Sequence, residues 1–208
     1  MKKINFYNLF YLFIIGSVFG WAIEGIYTLI KKGLLINHSA LVIGPFNIVY
    51  GLGAVLLSIV LSNYKDKSYL KIFIISFIFG TILEYVLSLL MEFFVGFTAW
   101  DYSQKILNIN GRVSLIYSIY WGILGVFWIK WVYPFIIKYL NRIDINFSKS
   151  FVVVMSIFLI FNTFLTFSAI NRAREFDKGI LPSNSFEKFL DNTFNGSYLK
   201  NMFNNNWK

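Results

Sequence analysis

The sequence predicts an all-α, polytopic membrane protein with about five transmembrane helices, and three observations predict it. Of 208 residues, 57% are hydrophobic and only 14% charged, where a soluble domain carries about a quarter charged residues. The few charges gather between apolar runs of roughly 20 residues, the length a helix needs to cross a bilayer. Two glutamates, Glu24 and Glu84, stand inside such runs, where a lone carboxylate is costly enough to mark a functional position by default.

The first run covers about residues 6–30. Met1-Lys2-Lys3 ahead of apolar residues looks like a signal peptide, but the run continues to Ile30 and cleavage would leave bulky Trp21 first, so it reads as an uncleaved span. Within it Gly16, Gly20, Glu24 and Thr28 step by four and share a face, and the Gly16–Gly20 pair lets another helix approach closely. Lys31-Lys32-Gly33 ends the run. The second, 43–62, opens with Gly44-Pro45-Phe46-Asn47, placing Pro near the first turn, where its missing N–H costs little. After the polar break 63–67 comes the third, 69–95, in which Ser76, Gly80, Glu84, Ser88 and Glu92 also step by four. The polar stretch 98–112 precedes a fourth run at 113–137, and Asn141-Arg142-Ile143-Asp144 precedes a fifth at 150–170.

From Asn171 the chain turns polar and asparagine-rich, dividing it into a transmembrane part, 1–170, and a tail, 171–208. In the tail, Phe186, Phe189, Leu190 and Phe194 recur at helical spacing after Pro182. That pattern suggests a short amphipathic helix lying on the membrane surface; an unstructured asparagine-padded tail is the competing reading.

The runs also repeat. Residues 19–29 read FGWAIEGIYTL and residues 79–89 read FGTILEYVLSL, each followed by a polar loop and a span with an aromatic-glycine pair, Tyr50-Gly51 and Trp121-Gly122. Spans 1–2 and 3–4 are therefore read as two copies of one helical hairpin, related by an axis along the membrane normal, with the fifth span added.

Composition excludes several chemistries. No cysteine means no disulfide, thiolate metal site or cysteine nucleophile. The single histidine, His38, rules out a multi-histidine metal site, and neither a metal nor a cofactor is expected. The net charge of +9 suits anionic lipid head groups rather than nucleic acid. A cytoplasmic N-terminus puts Lys2, Lys3, Lys65, Lys67, Lys71, Lys138, Arg142 and Lys149 inside, against Lys31, Lys32, Lys105, Arg112, Arg172, Arg174 and Lys178 outside. That balance, eight to seven, favours the N-inside orientation.

The polar chemistry collects on one side. Both buried glutamates fall in the second half of their spans, toward the loops 31–42 and 96–112, with Glu92 nearer that surface. Their seams face inward, toward each other or a wet cavity, as a structural latch or as the lining of a substrate or ion path. The stretch Trp100-Asp101-Tyr102-Ser103 is followed by Asn108-Ile109-Asn110-Gly111-Arg112. Asn110-Gly111 is a turn signal that delivers Arg112 to the start of span 4, within reach of Glu84, Glu92 or Asp101, or of a ligand phosphate or carboxylate. Asp101 suits a turn cap as well as a partner for Arg112. Trp100, Tyr102, Trp121 and Trp128 read equally as interfacial anchors. The candidate substrate- or ion-path residues are Glu24, Glu84, Glu92, Asp101 and Arg112.

These segments carry a resemblance. Gly20-Trp21-x-x-Glu24, Gly44-Pro45, Tyr50-Gly51-x-Gly53-Ala54, Leu83-Glu84-Tyr85, Trp100-Asp101-Tyr102-Ser103, Asn108-x-x-Gly111-Arg112 and Trp121-Gly122 resemble the bacterial membrane family called putative ABC-transporter type IV, over roughly residues 5–135. The chain departs from the family pattern at Asn37-His38-Ser39, where Asn-Arg-Gly is usual, at Val49, and at Ala99, where a second tryptophan is usual. The resemblance implies a small multi-pass, permease-like protein of the bacterial plasma membrane.

Three functions follow for weighing. The first is a permease-like subunit of a transport system, at least a homodimer, its substrate unread. The chain has no Gly-x-x-x-x-Gly-Lys-Ser/Thr motif, so an ATPase would be a separate subunit docking on the short loops 63–68 and 138–149; proton coupling through Glu24 and Glu84 needs none. The alternative is a membrane-embedded enzyme acting on a lipid or lipid-linked substrate, with Glu84, Glu92 or Asp101 as acid or base and Arg112 as a phosphate clamp. Against it, no serine has a partnered histidine, and His38 has no orienting acid near it in sequence. The third is a scaffold whose buried acids only fix packing.

Overall fold

The computed structural model describes residues 5–96, 98 and 100–202; Lys2, Lys3 and Ala99 lie outside them. Among the described residues the chain is helical, with one isolated antiparallel bridge between Ile109 and Val113. The helices are α1 (Phe6–Lys32), α2 (Ile48–Leu61), α3 (Tyr69–Val95), α4 (Leu115–Phe127), α5 (Tyr133–Leu140), α6 (Ile145–Asp177), α7 (Ser185–Thr193) and α8 (Gly196–Met202).

Among the described residues, four stretches are long and apolar enough to cross a membrane: α1, α3, the continuous Leu115–Leu140 stretch made by α4 and α5, and α6. A π-helical turn, Trp128–Val132, joins α4 to α5. Ends follow local chemistry. Asn5 accepts from the Asn8 amide at 2.7 Å and Ser68 from the Lys71 amide at 3.4 Å, satisfying donors that the first turn leaves over. Gly33 and Gly96 close α1 and α3 in the left-handed conformation, at φ 69° and 78°, which only glycine adopts freely.

The second apolar run is different in kind. Helix α2 with its short extension ends at Tyr64, about 25 Å of helix at 1.5 Å per residue against a hydrocarbon core of about 30 Å. Ahead of α2, residues 39–47 stay non-helical yet bury Leu41, Val42 and Phe46 at 2, 4 and 8% exposure. The helical start expected near residue 43 is delayed to Ile48, and Pro45 precedes the helix instead of sitting in its first turn. The cause is Gly44, at φ 83°, a conformation no α-helix contains.

Two hairpins make the body, and their contacts repeat. In α1/α2, Gly51 lies on Phe13, Ala54 on Gly16, and the Tyr50 ring covers Gly20; in α3/α4, Gly122 lies on Phe73, Gly125 on Ser76, and the Trp121 ring covers Gly80. The glycines let each helix pair approach to backbone distance, so packing rather than apolar burial holds them, as lipid requires. The hairpins meet where Gly53 faces the Trp121 ring and where Leu57, Leu61, Ile72 and Ile129 cluster. Helix α6 lies beside α1 and runs parallel to it: Tyr11 stacks on Phe151 at 4.9 Å near their N-terminal ends. Its other end therefore reaches the side of the loops 33–47 and 98–114, and α6 continues through residue 170 to Asp177 before the tail folds back.

Candidate functional site

Each hairpin places one carboxylate in a cage of the same plan. One turn beyond Gly20, Glu24 accepts a hydrogen bond from the Tyr50 hydroxyl at 2.8 Å. One turn beyond Gly80, Glu84 accepts from the Trp121 indole N–H at 3.2 Å. Tyr50 and Trp121 are equivalent residues of the two copies, so the ring that covers each glycine also supplies the donor. A second partner comes from the following loop: His38 Nδ1 lies 3.3 Å from Glu24, and the Tyr102 hydroxyl donates to Glu84 at 3.0 Å. The acids lie roughly 12 Å and 16 Å below the helix ends at Lys32 and Val95, from the helical rise.

The two cages differ in closure. Glu84 is 6% exposed, and its Tyr102 lid is stacked on Tyr117 with centroids 4.1 Å apart. Burial, then the Glu84 carboxylate, push the Tyr102 phenol well above its ordinary pKa, so it stays a donor at any physiological pH. Glu24 is open, its side chain 34% exposed against 19% for His38. His38 Nε2 lies 3.3 Å from Thr28 Oγ1, and Thr28 bonds back to the Glu24 carbonyl at 3.0 Å.

Above Glu84 the α3 seam continues to the surface. Arg112 donates to Ser88 at 3.1 Å and forms an ion pair with Glu92; of the acids within its reach from sequence, Glu92 is engaged and Glu84 is held by other donors. The loop carrying Arg112 is tightly built. The Trp100 indole donates to the Arg112 carbonyl at 2.7 Å, and the Tyr102 amide to the Gly111 carbonyl at 2.7 Å. The Asn108 side chain donates to the Ser103 and Lys105 carbonyls and accepts from the Gly111 amide. Asp101 accepts from the Ser103 amide at 2.8 Å, a turn-capping role. Gly111 sits at φ 68°, and a Cβ there would lie 2.9 Å from Asp101 Oδ1. The Trp-Asp-Tyr-Ser and Asn-x-x-Gly-Arg segments are therefore one device that carries Tyr102 to Glu84 and Arg112 to Ser88 and Glu92.

In the first loop, Trp21 donates to Asn37 at 2.8 Å and Asn47 to the His38 carbonyl at 3.2 Å. Ser39 bonds the carbonyls of Leu41 and Gly44 at 2.9 and 2.7 Å. From α6, Asn162 takes both backbone groups of Ile43, accepting at 3.1 Å and donating at 2.6 Å, while Thr166 accepts from the Val42 amide at 3.0 Å. Non-helical backbone at this depth survives only when so satisfied.

Sequence reasoning did not single out His38 or Tyr50 as partners of Glu24, nor Asn162 and Thr166 as supports of the loop. His38 lies 14 positions from Glu24, so only the fold supplies its acid. Tyr50 was findable, because the repeat that pairs Gly20 with Gly80 also pairs Tyr50 with Trp121. Among the described residues no group of three His, Asp or Glu side chains converges to hold a metal.

Residues 11–167 match the model of the family described as Putative ABC-transporter type IV. No curated protein and no solved structure matches the chain.

Proposed function

The chain belongs to the Putative ABC-transporter type IV family, and from that premise we propose that it is the permease-like membrane subunit of a transport system, working through the paired glutamate cages on one side of the bilayer. The observation that carries the proposal is the divergence of the two cages. A scaffold would gain by closing both, since an open carboxylate within a span is costly. Here Glu84 is closed under Tyr102 and Trp121, while Glu24 is left half-open beside the one histidine.

Glu84 then serves as the lock that fixes α3 to α4 and to the Trp100–Arg112 loop, and Glu24 with His38 serves as the exchangeable site at the edge of the path. Glu92 and Arg112 form its outer rim. The enzyme alternative draws less support, because the Arg112 guanidinium is engaged by Ser88 and Glu92 rather than turned toward an open phosphate site.

Energy would come from a separate ATPase subunit. Under the N-inside orientation its docking surface is the opposite end of the molecule, where Lys130 ties down the α2–α3 loop through the Lys65 and Lys67 carbonyls at 2.7 and 3.0 Å. The test is purification of the tagged chain from its own host in mild detergent, with mass spectrometry of whatever accompanies it. A stoichiometric ATPase is expected. A retained lipid-linked molecule with no ATPase would favour the enzyme instead.

A further inference from the structure

Residues 168–208 lie beyond the family match, yet the described part of them is packed onto the loop that presents His38. Arg172, 3% exposed, reaches Asp191 through two bonds of 2.8 and 3.0 Å, Glu175 at 3.2 Å and the Ile180 carbonyl at 2.9 Å. This pins α7 to the end of α6. Leu190, Phe194, Leu199 and Met202 then close over Val42, and the Tyr198 hydroxyl donates to the Val42 carbonyl at 3.0 Å. Val42 is the residue whose amide Thr166 holds from the other side.

The opposite face of α7 points outward. Phe186 and Phe189 are 43 and 47% exposed, and Phe186 stacks on Phe164 with centroids 6.3 Å apart. Phe164 is itself 59% exposed on α6, a helix apolar enough to span the membrane. The exposed rings of α7 thus continue the lipid-facing surface of α6, and inward contacts Phe189–Phe194 and Phe194–Tyr198, at 6.1 and 5.9 Å, carry the row on to Val42.

We propose that residues 178–202 are an interfacial strap whose outer aromatic face lies in the lipid of the bilayer and whose inner face holds the loop that presents His38 to Glu24. An amphipathic helix with Phe on one side and charges on the other settles at the acyl–headgroup boundary. The strap stands on packing alone, apart from the transport reading, and its failure would leave that reading untouched.

The chain has no cysteine, so Phe189→Cys offers a single labelling point. With an environment-sensitive fluorophore there, in dilute phosphatidylcholine vesicles, bromine-labelled acyl chains should quench the probe strongly. No quenching overturns the lipid face, and shielding that grows with protein density assigns it to a second copy of the chain. Hydrogen exchange in the same vesicles reads the inner face. In both Asp191→Ala and Tyr198→Phe the Val42 and Ile43 amides should exchange about tenfold faster while α3 stays protected. Unchanged loop exchange, with peptide 185–202 opened in Asp191→Ala, overturns the strap. If Asp191→Ala loosens α3 as well, Tyr198→Phe, which deletes one hydroxyl, decides alone.

Discussion

At the scale of single residues, the two glutamates separate by what surrounds them. Glu84→Leu would leave the Trp121 N–H and the Tyr102 hydroxyl unpaired in a buried place, at about 1–3 kcal/mol each. Its thermal unfolding midpoint in detergent should therefore fall clearly below that of the parent. Glu24→Gln keeps shape and one acceptor at a half-exposed position, so its midpoint should stay near the parent value while any transport activity is lost. Equal destabilisation by both substitutions would make the acids structural alone. Arg112→Lys is a further probe. A lysine has no fork to reach Ser88 and Glu92 together, so increased proteolysis of the 98–114 loop is expected, with the helices intact.

At the scale of elements, the hairpin repeat makes a symmetric prediction. A Cβ on Gly20 would strike the Tyr50 ring and one on Gly80 the Trp121 ring, so Gly20→Ala and Gly80→Ala should each destabilise by about 1–3 kcal/mol through overpacking. A large effect at one and none at the other would break the equivalence. For the loop, Asn162→Leu strands both backbone groups of Ile43, costing roughly 1–3 kcal/mol, read as a lowered unfolding midpoint. Much of this architecture was legible beforehand. The four-residue steps on α1 and α3 marked the faces that meet α2 and α4, because glycine and polar residues in a span must face protein. Arg112 lies in the loop three residues ahead of α4 and not at its start, and it pairs with Glu92, one of the three acids the sequence put within its reach. The non-helical segment 39–47 was not legible, because Leu41, Val42 and Phe46 read as apolar residues entering a helix. Nothing local announces that Asn162 and Thr166, more than a hundred positions on, satisfy the backbone there. The Glu24–His38 pair was hidden for the same reason.

At the scale of the whole molecule, the polar chemistry, both long loops and the tail gather on one side, and the Lys130-braced loop lies on the other. If, as proposed, substrate is taken at the glutamate side and energy is supplied by an ATPase at the opposite end, a change at Glu24 is felt by that ATPase across the length of the bundle. The packed glycine contacts of the two hairpins are the rigid connection that would carry it. The most direct test is the ATP turnover of the partner ATPase recovered with the parent chain and with Glu24→Gln, both purified in the same detergent. The account predicts equal recovery of ATPase with the two chains and turnover that is altered about tenfold or more by Glu24→Gln, a change of about 1.4 kcal/mol or more in activation free energy. Equal turnover from both complexes would contradict it, and would leave Glu24 outside the transport cycle.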